Sequence, residues 1–245
     1  MAIDAHWYHL RPNFAPTEGQ THVYQASLDL DPEALQNLEV TLSAEEKCRA
    51  DRFIFPRDRD HFVAARGILR ELLGLCLQRP PSEISFALGP QGKPFLSAHS
   101  LKTPLYFNTS HSHGLALYAF SPAGELGIDL ELLRSEVACE DIAERYFSKQ
   151  ELAELQALPE SLRTEGFFLC WTRKEAYVKA RGAGLQISLD SFNVSLTPGR
   201  NEELQAPDSQ LWSIYSFQPA PQYVAALVAP SPKCSLQFWR WKPKR

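Results

Sequence analysis

Residues 171–185 read WTRKEAYVKARGAGL, and the fold turns on this stretch. Arg173, Lys174, Lys179 and Arg181 surround one acid, Glu175, in a chain whose formal net charge is −4. Glu175 and Lys179 are four residues apart and share a helix face with Trp171. Gly182 and Gly184 supply a stop, so a helix is predicted from about Glu165 to Arg181. Taken alone, Glu175–Lys179 reads as a surface pair contributing about 0.3–0.5 kcal/mol. Taken with acids elsewhere in the chain, it reads as half of a site for phosphate.

The bulk composition makes any such site local. The 245 residues are 44% apolar and 22% charged, enough for one large domain or two small ones. A pI near 6 excludes the broad basic surface that general nucleic-acid binding needs. The first residues, MAIDAHWYHLRPNF, do not read as a signal peptide, and no apolar run approaches the roughly 20 residues of a membrane helix. The cysteines Cys48, Cys76, Cys139, Cys170 and Cys234 are scattered and never in C-x-x-C spacing, which fits reduced thiols in a cytoplasmic protein.

Working outward, the elements nearly repeat. HVYQASLDL (22–30) reads as a strand, and Asp31 with Pro32 opens a helix. Ser43 and Glu46 have capping-box spacing, and an amphipathic helix follows over 58–78 through Phe62, Ala65, Leu69, Leu72, Leu73 and Cys76. EISFALG (83–89) reads as a strand. PLYFN (104–108) and LALYAFS (115–121) read as strands joined by a polar turn, TSHSHG. ELGIDLELL (125–133) is a further strand. A second capping box, Ser148 with Glu151, opens SKQELAEL ahead of the long helix. SFNVSL (191–196), LWSIYSF (211–217), YVAALVA (223–229) and LQFWRW (236–241) finish as strands. The tail WRWKPKR reads as exposed. Spacing, not residue identity, suggests two similar halves, 1–121 and 122–245, with a cleft between them.

Three motifs are candidates for chemistry. In GIDLE (127–131), Asp129 and Glu131 project from one strand face while Ile128 and Leu130 point to a core. Paired carboxylates repel unless a cation or solvent intervenes, and their hard oxygens suit Mg²⁺ completed by phosphates. FNTSHSHG (107–114) gathers Ser110, His111, Ser112 and His113. No third His or Cys accompanies them for zinc, and the G-x-S-x-G nucleophile elbow is missing, so phosphate contact or a plain capping turn remains. GPQGKPFL (89–96) is a turn carrying Lys93 without the P-loop pattern. Arg49, Arg57, Arg59, Arg66 and Arg70 make the first half locally basic.

In this order and at these spacings, GKPFL, FNTSHS, GIDLE and WTRKEAYVKARGAGL resemble the Sfp-type 4′-phosphopantetheinyl transferases, from Gly92 to Leu185 or about 40% of the chain. The resemblance implies an α/β (α+β) protein of two subdomains related by pseudo-twofold symmetry, each a small, mainly antiparallel sheet packed with a long helix. It implies coenzyme A as co-substrate in the cleft and Mg²⁺ on its pyrophosphate. Asp129, Glu131 and Glu175 match the metal-binding acids, and Lys179 matches a lysine on the phosphates. Lys93, Ser110 and His111 match coenzyme contacts. Arg49 and Arg66 match cations for its 3′-phosphate, although Glu46 falls where some members carry lysine.

The implied reaction is attack by a serine hydroxyl of an acidic apo carrier protein on the coenzyme phosphate joined to pantetheine, releasing 3′,5′-ADP. Glu175 directly, or Glu131 through water, takes the serine proton. A monomer is expected from the internal duplication. The rival from another class is a non-enzymatic binder of coenzyme A or of a carrier protein.

Overall fold

The computed structural model describes residues 3, 5–9, 15–89, 91–96, 104–137, 139–182, 184–232 and 234–243. Pro90 and Ala183 of the motifs, and the last two residues of the tail, lie outside them.

Strand β1 (Trp7–His9) precedes a first half built from β2 (Gln20–Ser27), α1 (Pro32–Glu39), α2 (Ala44–Ala50), α3 (Pro56–Leu77), β3 (Phe86–Leu88), β4 (Pro94–Leu96), β5 (Tyr106–Ser112) and β6 (Leu115–Ser121). The second half runs β7 (Gly127–Leu132), α4 (Cys139–Tyr146), α5 (Lys149–Ala157), α6 (Glu160–Arg181), β8 (Asn193–Val194), β9 (Leu204–Gln205), β10 (Trp212–Phe217) and β11 (Tyr223–Pro230). Strand β12 (Ser235–Arg240) follows. The halves correspond element by element. Their antiparallel sheets are ordered β2-β6-β5 and β7-β11-β10, each has a 22-residue helix, and each adds a two-stranded ribbon, β3-β4 or β8-β9.

Local chemistry sets the helix ends. Asp31 caps α1 by accepting from the Ala34 N–H at 2.8 Å. Both capping boxes form, at Ser43/Glu46 and at Ser148/Glu151. Each box acid also binds a cation of the long helix: Glu46 takes Arg70 of α3 at 2.7 Å, and Glu151 takes Lys174 of α6 at 2.8 Å. Arg70 also donates to the carbonyls of Pro81 and Ile84 and lies over Phe86. Lys174 donates to the carbonyls of Leu189 and Phe192 and lies over the Phe192 ring. The same acid–cation–carbonyl–phenyl lock therefore ties helix to ribbon in both halves, a repeat that residue identity hides.

Each half has its own core. Tyr24, Ile68, Leu72, Phe107 and Phe120 pack the first; Phe167, Phe168, Tyr177, Val194 and Ala226 pack the second. A third cluster joins the sheets through Val23, Leu117 and Ala119 on one side and Ile128, Leu130 and Leu227 on the other.

The structure departs from the sequence expectations at several points. Thr109 to Ser112 belong to β5, and the turn is only His113–Gly114, both at positive φ, the geometry of a two-residue hairpin turn. The tail is exposed as expected at Arg240, Lys242 and Pro243 but not at its tryptophans: Trp239 and Trp241 are buried, and Trp241 Nε1 donates to Glu71 at 3.0 Å. Strand β12 pairs in parallel with β2, so this C-terminal segment completes the first half's sheet. SFNVSL forms only the short β8, and α6 begins at Glu160, before the expected start.

Candidate active site

The site is built where two sheet edges meet without pairing. Strands β5 and β7 run in the same direction, and side chains replace the backbone ladder. Asn108, Ser110 and Ser112, alternate residues of β5, all aim at β7. Asn108 Oδ1 accepts the Ile128 N–H at 2.9 Å, Ser110 Oγ donates to Asp129 Oδ1 at 3.0 Å, and Ser112 Oγ donates to Glu131 Oε2 at 2.9 Å. Ser112 Oγ also lies 3.4 Å from the Leu132 nitrogen. The polar run FNTSHS is thus a strand edge that hands hydrogen bonds to an acidic neighbour.

Helix α6 closes over this seam. It comes so near β7 that a methyl on Gly127 would strike the Ala176 carbonyl oxygen and the Ala180 nitrogen. That approach seats Lys179 Nζ 2.6 Å from Asp129 Oδ1, 3.2 Å from Ser110 Oγ and 3.2 Å from the Ile128 carbonyl. Asp129 is 5% exposed, and its second oxygen, Oδ2, is buried without a partner among the described residues.

Burial, then the Asp129 charge, raises Glu175 above the ordinary carboxylate range; Lys179 opposes this and Glu131 adds to it. Burial and Asp129 likewise raise Glu131, with the Ser112 hydrogen bond pulling back. Two carboxylates raised by burial, beside a third with a bare buried oxygen, are a donor set suited to a hard cation. Among the described residues, no three His, Cys, Asp or Glu side chains are drawn into a closed metal cluster.

A cavity of about 510 Å³ opens over the seam, with Lys93, Asn108, Tyr146, Glu175, Val178 and Lys179 in its wall. Lys93 is at its edge but committed: its ammonium donates to Glu125 at 2.6 Å, to the Leu126 carbonyl at 3.1 Å and to the Lys179 carbonyl at 2.8 Å. It holds the last turn of α6 to the segment leading into β7. A second cavity of about 330 Å³ contains Arg49, Arg66 and Arg70 and shares Pro94 with the first. There Arg66 pairs with Glu46 at 3.2 Å and lies over Phe86, and Arg49 lies over Phe62. Glu46 is therefore fixed by its cap and its two arginines. His111 projects from the other face of β5. Burial, followed by the Lys179 and His61 charges, lowers its imidazole below the ordinary range.

Asp129, Glu131, Glu175, Lys179 and Ser110 thus converge, with His111 electrostatically close, while Arg49 and Arg66 lie in the adjoining cavity. Sequence reasoning misses Tyr146, which stacks edge-on with Trp171 at 5.8 Å, because it leaves the α4 segment unassigned. It also misses Asn108 and Gly127. The period-two spacing of Asn108, Ser110 and Ser112 is the available signal for the first.

Comparison with known proteins gives matches along most of the chain. Residues 125–228 match the model of the 4′-phosphopantetheinyl transferase superfamily, and residues 31–123 match that of the 4′-phosphopantetheinyl transferase N-terminal region. The chain is 37% identical over 96% of its length, and 98% of the relative's, to 4′-phosphopantetheinyl transferase HetI of a Nostoc species. It is 31% identical to 4′-phosphopantetheinyl transferase Sfp of Bacillus subtilis, over 76% of this chain and 80% of that one. Among solved structures, the holo-acyl-carrier-protein synthase of Thermotoga maritima aligns with TM-score 0.35 and 25% identity, over 42% of this chain and 61% of that chain.

Proposed function

The chain belongs to the 4′-phosphopantetheinyl transferase superfamily, and from that premise we propose how its own residues move the 4′-phosphopantetheine group of coenzyme A onto a carrier-protein serine. One observation carries the proposal. Lys179 is ion-paired to Asp129 at 2.6 Å, Asp129 keeps a bare buried oxygen, and Glu175 lines the cavity above them.

The serine oxygen forms a bond to the phosphorus joined to pantetheine, and the bond from that phosphorus to the leaving 3′,5′-ADP breaks. Glu175 accepts the serine proton. Its position in the cavity wall gives it access to that hydroxyl. Glu131, bonded to Ser112, reaches a serine only through water. Lys179 meets the charge growing on the leaving phosphate, held in place by Asp129, Ser110 and the Ile128 carbonyl.

The donor chemistry fits Mg²⁺, with Asp129, Glu131 and Glu175 as the residues to hold it. When bound, the ion neutralises charge on the coenzyme's pyrophosphate. Arg49 and Arg66 offer the adjoining cavity for the 3′-phosphate, stacked on aromatic rings that also suit an adenine. Ser110, His111 and Lys93 border the phosphates, and Lys93 must leave its carbonyl partners to touch one. An acidic carrier, a monomeric enzyme and a cytoplasmic setting belong to the same reading. Among the described residues, no helix is long and apolar enough to cross a membrane.

Intact-mass measurement tests the proposal directly. An apo acyl carrier protein incubated with this protein, coenzyme A and Mg²⁺ is expected to gain one phosphopantetheine group, and EDTA is expected to stop the gain. No gain on several unrelated carriers, with coenzyme A still bound, would overturn it.

A further inference from the structure

All three donors of the Lys93 ammonium are engaged. Nζ donates to Glu125 Oε2 at 2.6 Å, to the Leu126 carbonyl at 3.1 Å and to the Lys179 carbonyl at 2.8 Å. The side chain is 17% exposed, and Glu125 balances its charge. The place also disfavours an anion. The Lys179 carbonyl belongs to the last turn of α6, the negative end of a 22-residue helix, which stabilises a cation and repels a phosphate.

A tight turn between β3 and β4 delivers the lysine there. The Gly92 N–H donates to the Gly89 carbonyl at 2.9 Å, and the Gly89 N–H donates to the Lys93 carbonyl at 2.9 Å, with Gly92 at φ +78°. The turn lies against the end of α6: a Cβ on Gly184 would lie 3.2 Å from the Gln91 Cβ. The first half thereby reaches across to the helix of the second. Lys93 joins the two backbones that present the Lys179–Asp129 pair. One of its carbonyls, Leu126, is two residues before Ile128, whose own carbonyl accepts Lys179 Nζ at 3.2 Å, and three before Asp129, which holds that ammonium at 2.6 Å. The other is the carbonyl of Lys179 itself. From the second half the same turn of α6 is held by Asp208, which accepts from Tyr177 at 2.5 Å and from Arg181 at 2.7 Å.

We propose that Lys93 is a positioning residue: it sets Lys179 against Asp129 through the backbone, and it keeps this place when coenzyme A is bound instead of joining the phosphates. The proposal rests on the transferase reading and gives Lys93 a different partner from the one its motif implies. Without Lys93 the last turn of α6 keeps only its hold on Asp208, so the helix end shifts on β7 and takes Lys179 with it. Arg49 and Arg66 line a separate cavity and stay in place. The defect therefore falls on the step that Lys179 assists, not on coenzyme affinity.

Steady-state kinetics on the full chain, with an apo acyl carrier protein and coenzyme A varied, tests this with Lys93→Met and Lys93→Arg. Arginine separates the two roles. A guanidinium serves a phosphate as well as an ammonium does, but its planar fork cannot bring three donors to one point. Both variants are expected to lower kcat about tenfold while the coenzyme A KM stays within twofold. Thermal unfolding reports whether each variant folds, and Lys93→Arg carries the test alone if Lys93→Met does not. Glu125→Gln, which removes the charge partner and leaves both carbonyls, is expected to change neither constant more than twofold. A cycle with Lys179→Met separates positioning from general loss of structure. In that background Lys93→Met is expected to slow single-turnover mass gain less than twofold, because the group it positions is gone. A coenzyme A KM raised about tenfold by Lys93→Met and restored by Lys93→Arg overturns the proposal in favour of a phosphate contact. A full tenfold loss in the Lys179→Met background also overturns it, as does a wild-type kcat in both Lys93 variants; each leaves the transferase standing. A wild type inactive on every carrier refutes the transferase reading itself, and the catalytic role of Lys93 falls with it.

Discussion

Gly127→Ala tests whether contact between β7 and α6 sets the catalytic geometry. A methyl at Gly127 would overlap the Ala176 carbonyl oxygen and come within 2.9 Å of the Lys179 carbonyl carbon. The Ala176 oxygen would lie 2.0 Å from that methyl, and such contacts relax to about 3.0–3.4 Å, so α6 must retreat by roughly 1.0–1.4 Å. Carried to the side chains, that retreat stretches the Lys179–Asp129 contact from 2.6 Å to about 3.6–4.0 Å, beyond the limit of a hydrogen bond. The overpacking costs about 1–3 kcal/mol of stability, and a misplacement near 1 Å costs turnover about 100-fold. Both are measurable, the first by urea unfolding and the second by carrier mass gain at saturating coenzyme A. Ile128→Val, the neighbouring core residue, should cost about 0.5–1.5 kcal/mol without moving the helix. Equal turnover loss in both variants would attribute the effect to stability alone. Wild-type turnover in Gly127→Ala would refute the view that this contact positions Lys179.

Three further variants probe charge. Glu175→Gln should keep the fold and lower turnover by about 10²–10⁴-fold, the range for a lost general base; a wild-type rate would remove its assigned role. The same variant carries a pH signature. Glu131 and Glu175 bind protons more tightly folded than unfolded, so metal-free stability should fall as pH rises from the ordinary value of 4.5 through their raised values. Thermal unfolding without metal should therefore show Glu175→Gln gaining on wild type as pH rises, and a constant difference would contradict the burial of that charge. Asp129→Asn should weaken Mg²⁺ activation and lower turnover at least about 100-fold, read from a Mg²⁺ titration. Lys174→Met leaves Glu151, 1% exposed, as a buried charge without its cation, at a cost of about 3–5 kcal/mol. Glu151 still accepts the Ser148 and Val194 N–H groups, so a loss below 1 kcal/mol by urea midpoint would show that these suffice.

What was legible in the sequence was local. The capping boxes, the Gly182 stop and the alternation of Ile128 and Leu130 with Asp129 and Glu131 depend on residues within four positions, and each formed as read. The four ordered motifs also brought the converging acids and Lys179 into view. What failed depended on distant partners. Thr109 to Ser112 look like a turn because they are polar, yet they are a strand whose polarity serves β7, 19 or 20 residues on. Lys93 looks like a free cation because its carbonyl acceptors lie 33 and 86 residues away. The tail looks exposed because its burial needs β2, more than 200 residues upstream.

The duplication explains why the acids of the seam come from one half. In the first half, the sheet edge beside β2 is closed by β12, parallel and with a full backbone ladder. In the second, the corresponding edge beside β7 faces β5, which also runs parallel but offers side chains in place of a ladder. The long helices carry matching pairs, Arg70–Glu71 and Lys174–Glu175, and the first member of each is the cation of its lock. The second members diverge. Glu71 accepts Trp241, just past the strand that closes its half, and serves packing. Glu175 has no such strand before it, looks into a cavity and keeps its raised pKa. An unladdered edge costs the second half backbone hydrogen bonds across the seam, and the side chains of Asn108, Ser110 and Ser112 restore only some of them. The space left between the edges is where Asp129 retains a free oxygen and Lys179 can enter. The position of the C-terminal strand in the first half and the open seam in the second are two outcomes for one repeated edge.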